Sequence, residues 1–219
     1  MTPSKEDYLK TIVSLGGATK VVNNKQLVAA MNVSAASVTD MNTKLLKEGL
    51  ITHTPYRGVQ VTEKGLRLAN QVIRKHRIWE VFLLEKLGYD WKEVHADADR
   101  LEHASSDLLI ERLNQFLGEP EFDPHGGRIP AKDGTTESYD YPQLNDLSAG
   151  DSFVVKEVED DPDFLDYITV KGIKLEQKYT LLAKEAYEGS LALQNADGKT
   201  FMLSYKAAFK VFVEKADIE

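Results

Sequence analysis

Residues 24–62 read NKQLVAAMNVSAASVTDMNTKLLKEGLITHTPYRGVQVT, and the order of local signals in this stretch predicts the fold. Asn24 is a suitable N-cap for a short helix with Leu27, Val28 and Met31 on one face. A tight turn at Asn32 and Val33 leads to Ser34, a second N-cap. From there ASVTDMNTKLLKEG keeps helical spacing, with Val38, Met41, Leu45 and Leu46 inward and Gly49 closing the helix. Two short β-rich runs then flank Tyr56, Arg57 and Gly58, which predicts a hairpin.

Upstream, KEDYLKTIVSL (residues 5–15) places Tyr8, Leu9, Ile12, Val13 and Leu15 at helical spacing before Gly16 and Gly17 end it. Downstream, Thr62 opens the helical run TEKGLRLANQVIRKHRIWEVFLLEKLG. Helix, short helix, turn, polar-faced helix, hairpin, helix is the order of a winged helix-turn-helix. The short helix braces the next one so that its polar N-terminal face enters the major groove of double-stranded DNA. On this reading Ser34, Ala36, Ser37, Thr39 and Asp40 face base edges, while Lys44, Lys47, Tyr56 and Arg57 meet phosphates.

The charge distribution agrees. The 219-residue chain carries a net charge of −8, which by itself argues against nucleic acid. Residues 1–77, however, hold twelve Lys and Arg against five acids, and the remainder holds 15 basic and 30 acidic residues. A basic module joined to an acidic one suits DNA binding by one part and cation capture by the other. The chain lacks cysteine, so neither disulfides nor thiolate ligands are available. No apolar run reaches the ~18–20 residues of a membrane span. The N-terminus MTPSKEDYLK has no secretory pattern, and a cytoplasmic location is expected.

Residues 76–118 predict two or three helices, with Val81, Phe82, Leu83, Leu84, Leu87, Trp79 and Trp91 forming an apolar mass suited to a dimer interface. Residues 119–146 are rich in Pro, Gly and Asp and are expected to form a linker. Beyond it FVVKEVE, YITVKG, KYTLLAKEAY, SLALQN, TFMLSY and AAFKVFVE predict about five short strands in a small β-barrel. The expected division is a reader over 1–72, a helical dimerisation and metal-binding unit over 73–140, and an SH3-like unit over 146–219. The fold class is thus mainly α with β.

The strongest chemical signal is HADADRLEH (residues 95–103). On a helix, His95, Asp99, Glu102 and His103 share one stripe. His76 and Glu80 form a second i, i+4 pair on the preceding helix. Two neighbouring helices that project imidazole and carboxylate toward each other make a cage for a divalent ion, with a nitrogen and oxygen mix that suits Mn2+ or Fe2+. Further candidates are Asp7, Asp123, His125, and Asp160 or Asp161. The pattern is not HExxH, and neither a phosphate-binding Gly-rich loop nor GxSxG is present, so no catalytic residue is nominated and the protein is not expected to be an enzyme. A winged-helix repressor indifferent to metal is the competing reading.

EDYLKTI, SAASVTDMNTKLLKEGLI, YRGVQVTEKG, RKHRIWEVFL and HADADRLEHASSD together resemble the diphtheria-toxin-repressor and manganese-transport-repressor family, in its three-domain form with a FeoA-type C-terminal domain. The resemblance covers residues 1 to about 130 clearly. It implies a homodimer that binds palindromic operators when loaded with metal. It also implies one site of His76, Glu80 and His95 helped by Asp160, and another of Asp7, Asp99, Glu102 and His103. Asp123 and His125 resemble linker ligands that join Glu80 and Asp160, so the division of ligands between sites stays open. Iron-sensing members carry Met where Asp7 stands and Cys where Asp99 stands. Carboxylate in place of sulfur favours manganese over iron, with Zn2+ or Co2+ able to substitute. The resemblance implies manganese-uptake genes as targets. The two-domain manganese sensors carry an acid where Lys10 stands, and a lysine cannot bridge two metals.

Overall fold

The computed structural model describes residues 2–137 and 141–216, so the outer ends of the expected units, Met1 and residues 138–140 and 217–219, lie outside it. Helices α1 (Pro3–Ser14), α2 (Asn24–Met31) and α3 (Ala35–Lys47) precede a hairpin of β1 (Ile51–Thr54) and β2 (Gly58–Val61). The N-cap of α2 is Asn23 rather than Asn24. Its side chain accepts from the Gln26 amide while Gln26 returns a bond to the Asn23 amide, a reciprocal capping box that Asn24 has no partner to form. Ser34 caps α3 through the Ser37 amide, as expected. Leu46 is exposed and Asn42 is buried in its place, held by a hydrogen bond to Asn24. Tyr8, Leu9, Ile12, Leu27, Val38 and Leu45 fill the core between these helices, with Ile51 and Val59 from the hairpin. Val59 also bridges to Val22, and Gly58 (φ 135°) makes this possible, because a Cβ there would stand 2.0 Å from the Val22 carbonyl oxygen.

Helix α4 (Glu63–Leu87) starts on its Thr62 cap and runs 25 residues to Gly88. Its first half contributes Ala69 to the reader core, and its second half contributes Ile78 and Val81 to a second core with Ile110, Leu113 and Ile129. The expected division at residues 72 and 73 therefore falls inside a continuous rod. Ligands on α4 therefore stand on the helix that both cores share. Helices α5 (Val94–Ala104) and α6 (Asp107–Phe116) complete the helical layer, and α5 packs along α4.

The C-terminal unit is a five-stranded antiparallel sheet in the order β6-β5-β4-β3-β7, with β3 (Ser152–Val158), β4 (Lys178–Lys184), β5 (Leu191–Asn195), β6 (Thr200–Leu203) and β7 (Val211–Lys215). Register shifts between Val155 and Glu157 and between Leu181 and Ala183 bend the sheet around Phe153, Leu165, Leu181, Leu193 and Val213. YITVKG is not a strand. Those residues end α7 (Pro162–Lys171), because Asp161 caps the Phe164 amide and Pro162 takes the first helical position. A short helix α8 (Tyr205–Ala208) precedes β7. The predicted turn at Asn195–Gly198 joins β5 to β6. Within the linker, Phe122 and Arg128 form an isolated antiparallel bridge.

Candidate metal centre

The i, i+4 pair on α4 and the acidic stripe on α5 face each other. Glu80 and Glu102 are each 1 % exposed, and His76 is also buried. Buried carboxylates are costly unless paired or coordinated, so their partners define the site.

Four side chains converge in the first group: His76 and Glu80 from α4, His95 from α5 and Asp160 from the turn before α7. His76 Nε2 lies 2.9 Å from Glu80 Oε1 and 3.2 Å from His95 Nδ1, and His95 Nδ1 lies 2.5 Å from Asp160 Oδ2. Burial disfavours the charged form of His76, but hydrogen bonds to Asp99, Glu102 and Glu80 prevail and raise its pKa to about 10. Bonds to Asp160, Asp99 and Glu80 raise His95 to about 12 against the effect of burial. Glu80, although burial pushes it up, is held below the ordinary carboxylate range by His76 and His95. Two imidazolium N–H groups facing each other at 3.2 Å repel. The arrangement suits a single cation that takes both lone pairs.

His125 extends this group. Its Nε2–H donates to the Trp91 carbonyl at 2.8 Å, and its Nδ1 is buried, without a hydrogen-bond partner and 4.0 Å from Glu80 Oε1. Asp160 Oδ1 is likewise buried without a hydrogen-bond partner. A histidine fixed by a backbone carbonyl at one nitrogen and bare at the other is the state of a metal ligand, so the residues fit a divalent ion. Asp123 groups with Glu80 and His125, but both of its oxygens are engaged, by Arg77 and by the amides of His125 and Gly127.

The second group joins Asp7 of α1 to Glu102 and His103 of α5. His103 Nε2 is 2.8 Å from Asp7 Oδ1 and 3.4 Å from Glu102 Oε1, while Nδ1 is 2.7 Å from Glu6 Oε2. Burial opposes protonation of His103, yet Glu6, Asp7 and Glu102 raise its pKa. A third group, His76, Asp99 and Glu102, lies between the other two and contains the Lys10 ammonium.

This chain matches three family descriptions in succession. Residues 1–59 match the iron dependent repressor N-terminal DNA binding domain, 62–131 the iron dependent repressor metal binding and dimerisation domain, and 143–215 the FeoA domain. A manganese-dependent transcriptional repressor solved in complex with manganese is 35 % identical, with TM-score 0.89 over 96 % of this chain and 99 % of the other. ScaR solved with bound Zn2+ is 36 % identical, with TM-score 0.85 over 97 % and 99 %. The iron-dependent repressor IdeR of Mycobacterium leprae is 26 % identical over 98 % of both chains. The chain belongs to the iron-dependent repressor family.

Members of this family are metal-dependent transcriptional repressors that bind DNA, not enzymes, and this chain is one of them. No helix among the described residues is long and apolar enough to cross a membrane. The predicted reading residues of the repressor, Ser34, Ala36, Ser37, Thr39, Asp40, Lys44, Lys47, Tyr56 and Arg57, are all exposed, on α3 and at the tip of the hairpin. Asp40 and Lys44 pair at 2.6 Å, and Tyr56 takes φ 61° at the turn. All ten predicted ligands fall in the groups above, whereas Asp161 is spent on capping α7 and on Lys210.

Two participants were not nominated from sequence: Glu6 as the brace of His103 and Arg77 as the partner of Asp123. For Glu6 the available signal was its place one position before Asp7 on the same helix. Lys10, singled out from the resemblance as unable to bridge two metals, lies against Asp99 and Glu102 in the third group.

Proposed function

We propose that this repressor is manganese-responsive and, when loaded, grips palindromic operators of manganese-uptake genes as a cytoplasmic homodimer. The observation that carries this reading is the meeting of Asp7 with Glu102 and His103: ligand atoms from the first helix of the reader and from the helical layer stand within one coordination shell. Once His103 loses the proton that its contacts with Glu6, Asp7 and Glu102 sustain, the carboxylates at that junction repel, which favours states in which the reader moves against the helical layer. A divalent ion supplies the charge that offsets this repulsion. The side chains then tie α1 to α5 and set the spacing of two recognition helices across the dimer. A ligand that binds only the closed arrangement shifts the population by its differential affinity.

The donor set supports manganese. The predicted ligands are carboxylate oxygens and imidazole nitrogens, without sulfur, which suits a hard ion, while Zn2+ and Co2+ accept the same donors. The manganese-dependent relative and the zinc-bound ScaR are consistent with both statements. We assign Glu80, His125 and Asp160, with His76 and His95, to one site and Asp7, Glu102 and His103 to the other, with Asp123 holding His125 in place. Ser34, Ala36, Ser37, Thr39 and Asp40 read bases, and Lys44, Lys47, Tyr56 and Arg57 hold the backbone. The second copy covers an apolar face on α6, where Leu108 is 69 % and Phe116 66 % exposed and Leu109 is also exposed.

The test is a titration of chelator-treated protein against an operator selected from random duplexes in the presence of Mn2+. Retardation that rises with Mn2+, more weakly with Fe2+, is expected. Equal binding with and without metal rejects the reading.

A further inference from the structure

The loop between α4 and α5 carries Trp91, which joins the linker to the C-terminal unit. Its carbonyl accepts from His125 Nε2–H at 2.8 Å, and its ring stacks on the imidazole with centroids 5.9 Å apart and planes at 29°. Its indole Nε1–H donates to Thr169 Oγ1 on α7 at 3.1 Å, and that hydroxyl donates its own hydrogen to the Leu165 carbonyl at 2.7 Å. The ring also packs against the core of the C-terminal unit. Beside it Lys92 pairs with Asp166 of the same helix at 2.7 Å, an exposed contact that contributes little alone. Around the indole the two units face each other across a cleft of about 330 Å3, lined by Leu84, Pro124, Ile173 and Leu175. The backbone adds a second fastening, since the Val158 amide of β3 donates to the His125 carbonyl at 2.9 Å. Asp160 follows the end of β3 by two residues and stands immediately before the Asp161 cap of α7.

We infer that Trp91 is a positioning residue of the metal centre: its carbonyl on His125 and its indole on Thr169 couple the Glu80, His125 and Asp160 group to the docking of the C-terminal unit on the helical layer. This inference rests on the ligand roles proposed above. A carbonyl that holds the Nε2–H of a histidine fixes the tautomer whose Nδ1 lone pair is free for an ion. Here that carbonyl belongs to a loop whose side chain is anchored on α7. Asp160 is carried by the same unit as α7. Undocking of that unit therefore takes Asp160 out of the group and frees the anchor of Trp91 in one event. By linkage, a divalent ion engaged by His125 and Asp160 together favours the docked state to the extent that it binds that state more tightly. The indole is a donor only, so it acts through its partners and is not itself a ligand. Its acceptor is equally specific. The Thr169 hydrogen is spent on Leu165, which leaves a lone pair for the indole. Valine keeps the shape of threonine and lacks that lone pair.

The experiment uses the full chain carrying Trp79→Phe, which leaves Trp91 as its single tryptophan, with Thr169→Val and Thr169→Ser added in turn. Each protein is stripped with chelator, and acrylamide quenching of Trp91 fluorescence is measured before and after addition of Mn2+. Mn2+ affinity is read by equilibrium dialysis with Asp7→Ala added to each, which weakens the other group. In the Trp79→Phe parent, Trp91 is expected to become harder to quench as Mn2+ binds. Thr169→Val should be easier to quench than the parent with no metal present. It should also bind Mn2+ about fivefold more weakly, less than the ~10–100-fold cost of losing an outer-shell partner, because Thr169 acts through Trp91. Thr169→Ser, which keeps the hydroxyl, should restore both properties. Quenching indifferent to bound Mn2+ in the parent overturns the inference without reference to Thr169, which covers the case in which that variant fails to fold. Equal Mn2+ affinity in all three proteins, or a loss in Thr169→Ser as large as in Thr169→Val, also overturns it, and metal-dependent operator binding by the parent then leaves the proposed function standing. A parent that takes up no Mn2+ overturns both.

Discussion

Arg77 Nε meets Asp123 Oδ2 at 2.9 Å, and the other oxygen of that carboxylate accepts from the amides of His125 and Gly127 at 2.8 and 2.9 Å. The pair therefore fixes the linker to α4 and sets the height at which His125 faces Glu80. Burial raises the Asp123 carboxyl, and Arg77 pulls it back.

Asp123→Ala is expected to lower stability by about 2–3 kcal/mol, less than the ~3–5 kcal/mol of a fully buried pair because Arg77 keeps partial exposure. Metal affinity should fall at the Glu80 and His125 group and hold at the Asp7 group. Gly127→Ala should reproduce both effects, since its Cβ would stand 2.5 Å from Asp123 Oδ2 and 2.8 Å from Arg77 Cζ. Calorimetric melting and a Mn2+ titration of each variant check this, and a Gly127→Ala protein indistinguishable from wild type would refute the bracing role.

Asp7→Ala removes the reader's ligand at the junction with α5. Metal-dependent operator affinity should drop by at least about tenfold while sedimentation still reports a dimer, as removal of even an outer-shell partner costs ~10–100-fold in metal affinity. Glu6→Gln, which alters the carboxylate bonded to His103 Nδ1, should show a smaller loss of the same kind. Gel-shift titrations against free Mn2+ separate the two, and an unchanged response in Asp7→Ala contradicts the mechanism.

Acid should oppose the metal. His76 and His95 must shed protons to become ligands, and their carboxylate neighbours raise them to about 10 and about 12 from an ordinary 6.5. Mn2+ binding therefore releases protons, and affinity should rise about tenfold per pH unit for each proton released between pH 6 and 8.5. The metal-free protein should run the other way. A histidine raised in the folded state stabilises fully below pH 6.5, and that contribution fades as pH climbs toward about 10. Calorimetric titrations in two buffers of different ionisation enthalpy, with melts of chelated and loaded protein at pH 6 and 8.5, test the signs.

Arg57→Ala at the hairpin tip should weaken binding to specific and random duplexes alike. It should reduce the slope of log K against log salt by about 1 per subunit, because a phosphate contact releases counterions without reading sequence. Ser37→Ala should instead narrow the gap between specific and random DNA. A fluorescence titration over a salt series distinguishes these outcomes, and a loss of sequence preference in Arg57→Ala would assign that residue to the bases.

Much of the site was legible because its spacing is local. His76 with Glu80, and His95 with Asp99, Glu102 and His103, share faces on any helix, so periodicity alone aligned them. The one misread element, YITVKG, has β-branched and aromatic residues that favour strands, but the cap and proline at Asp161 and Pro162 commit that segment to α7 before its propensity matters.

The chain's own residues determined the winged reader, the two ligand-bearing helices and the preference for oxygen and nitrogen donors. These follow from short-range periodicity, caps and composition. Tertiary structure decided which charges meet: Lys10 with Asp99 and Glu102 from 89 and 92 positions away, Glu6 with His103 from 97, and Arg77 with Asp123. No local pattern encodes such pairs, because they exist only once α1, α4, α5 and the linker come together and burial makes an unpaired charge costly.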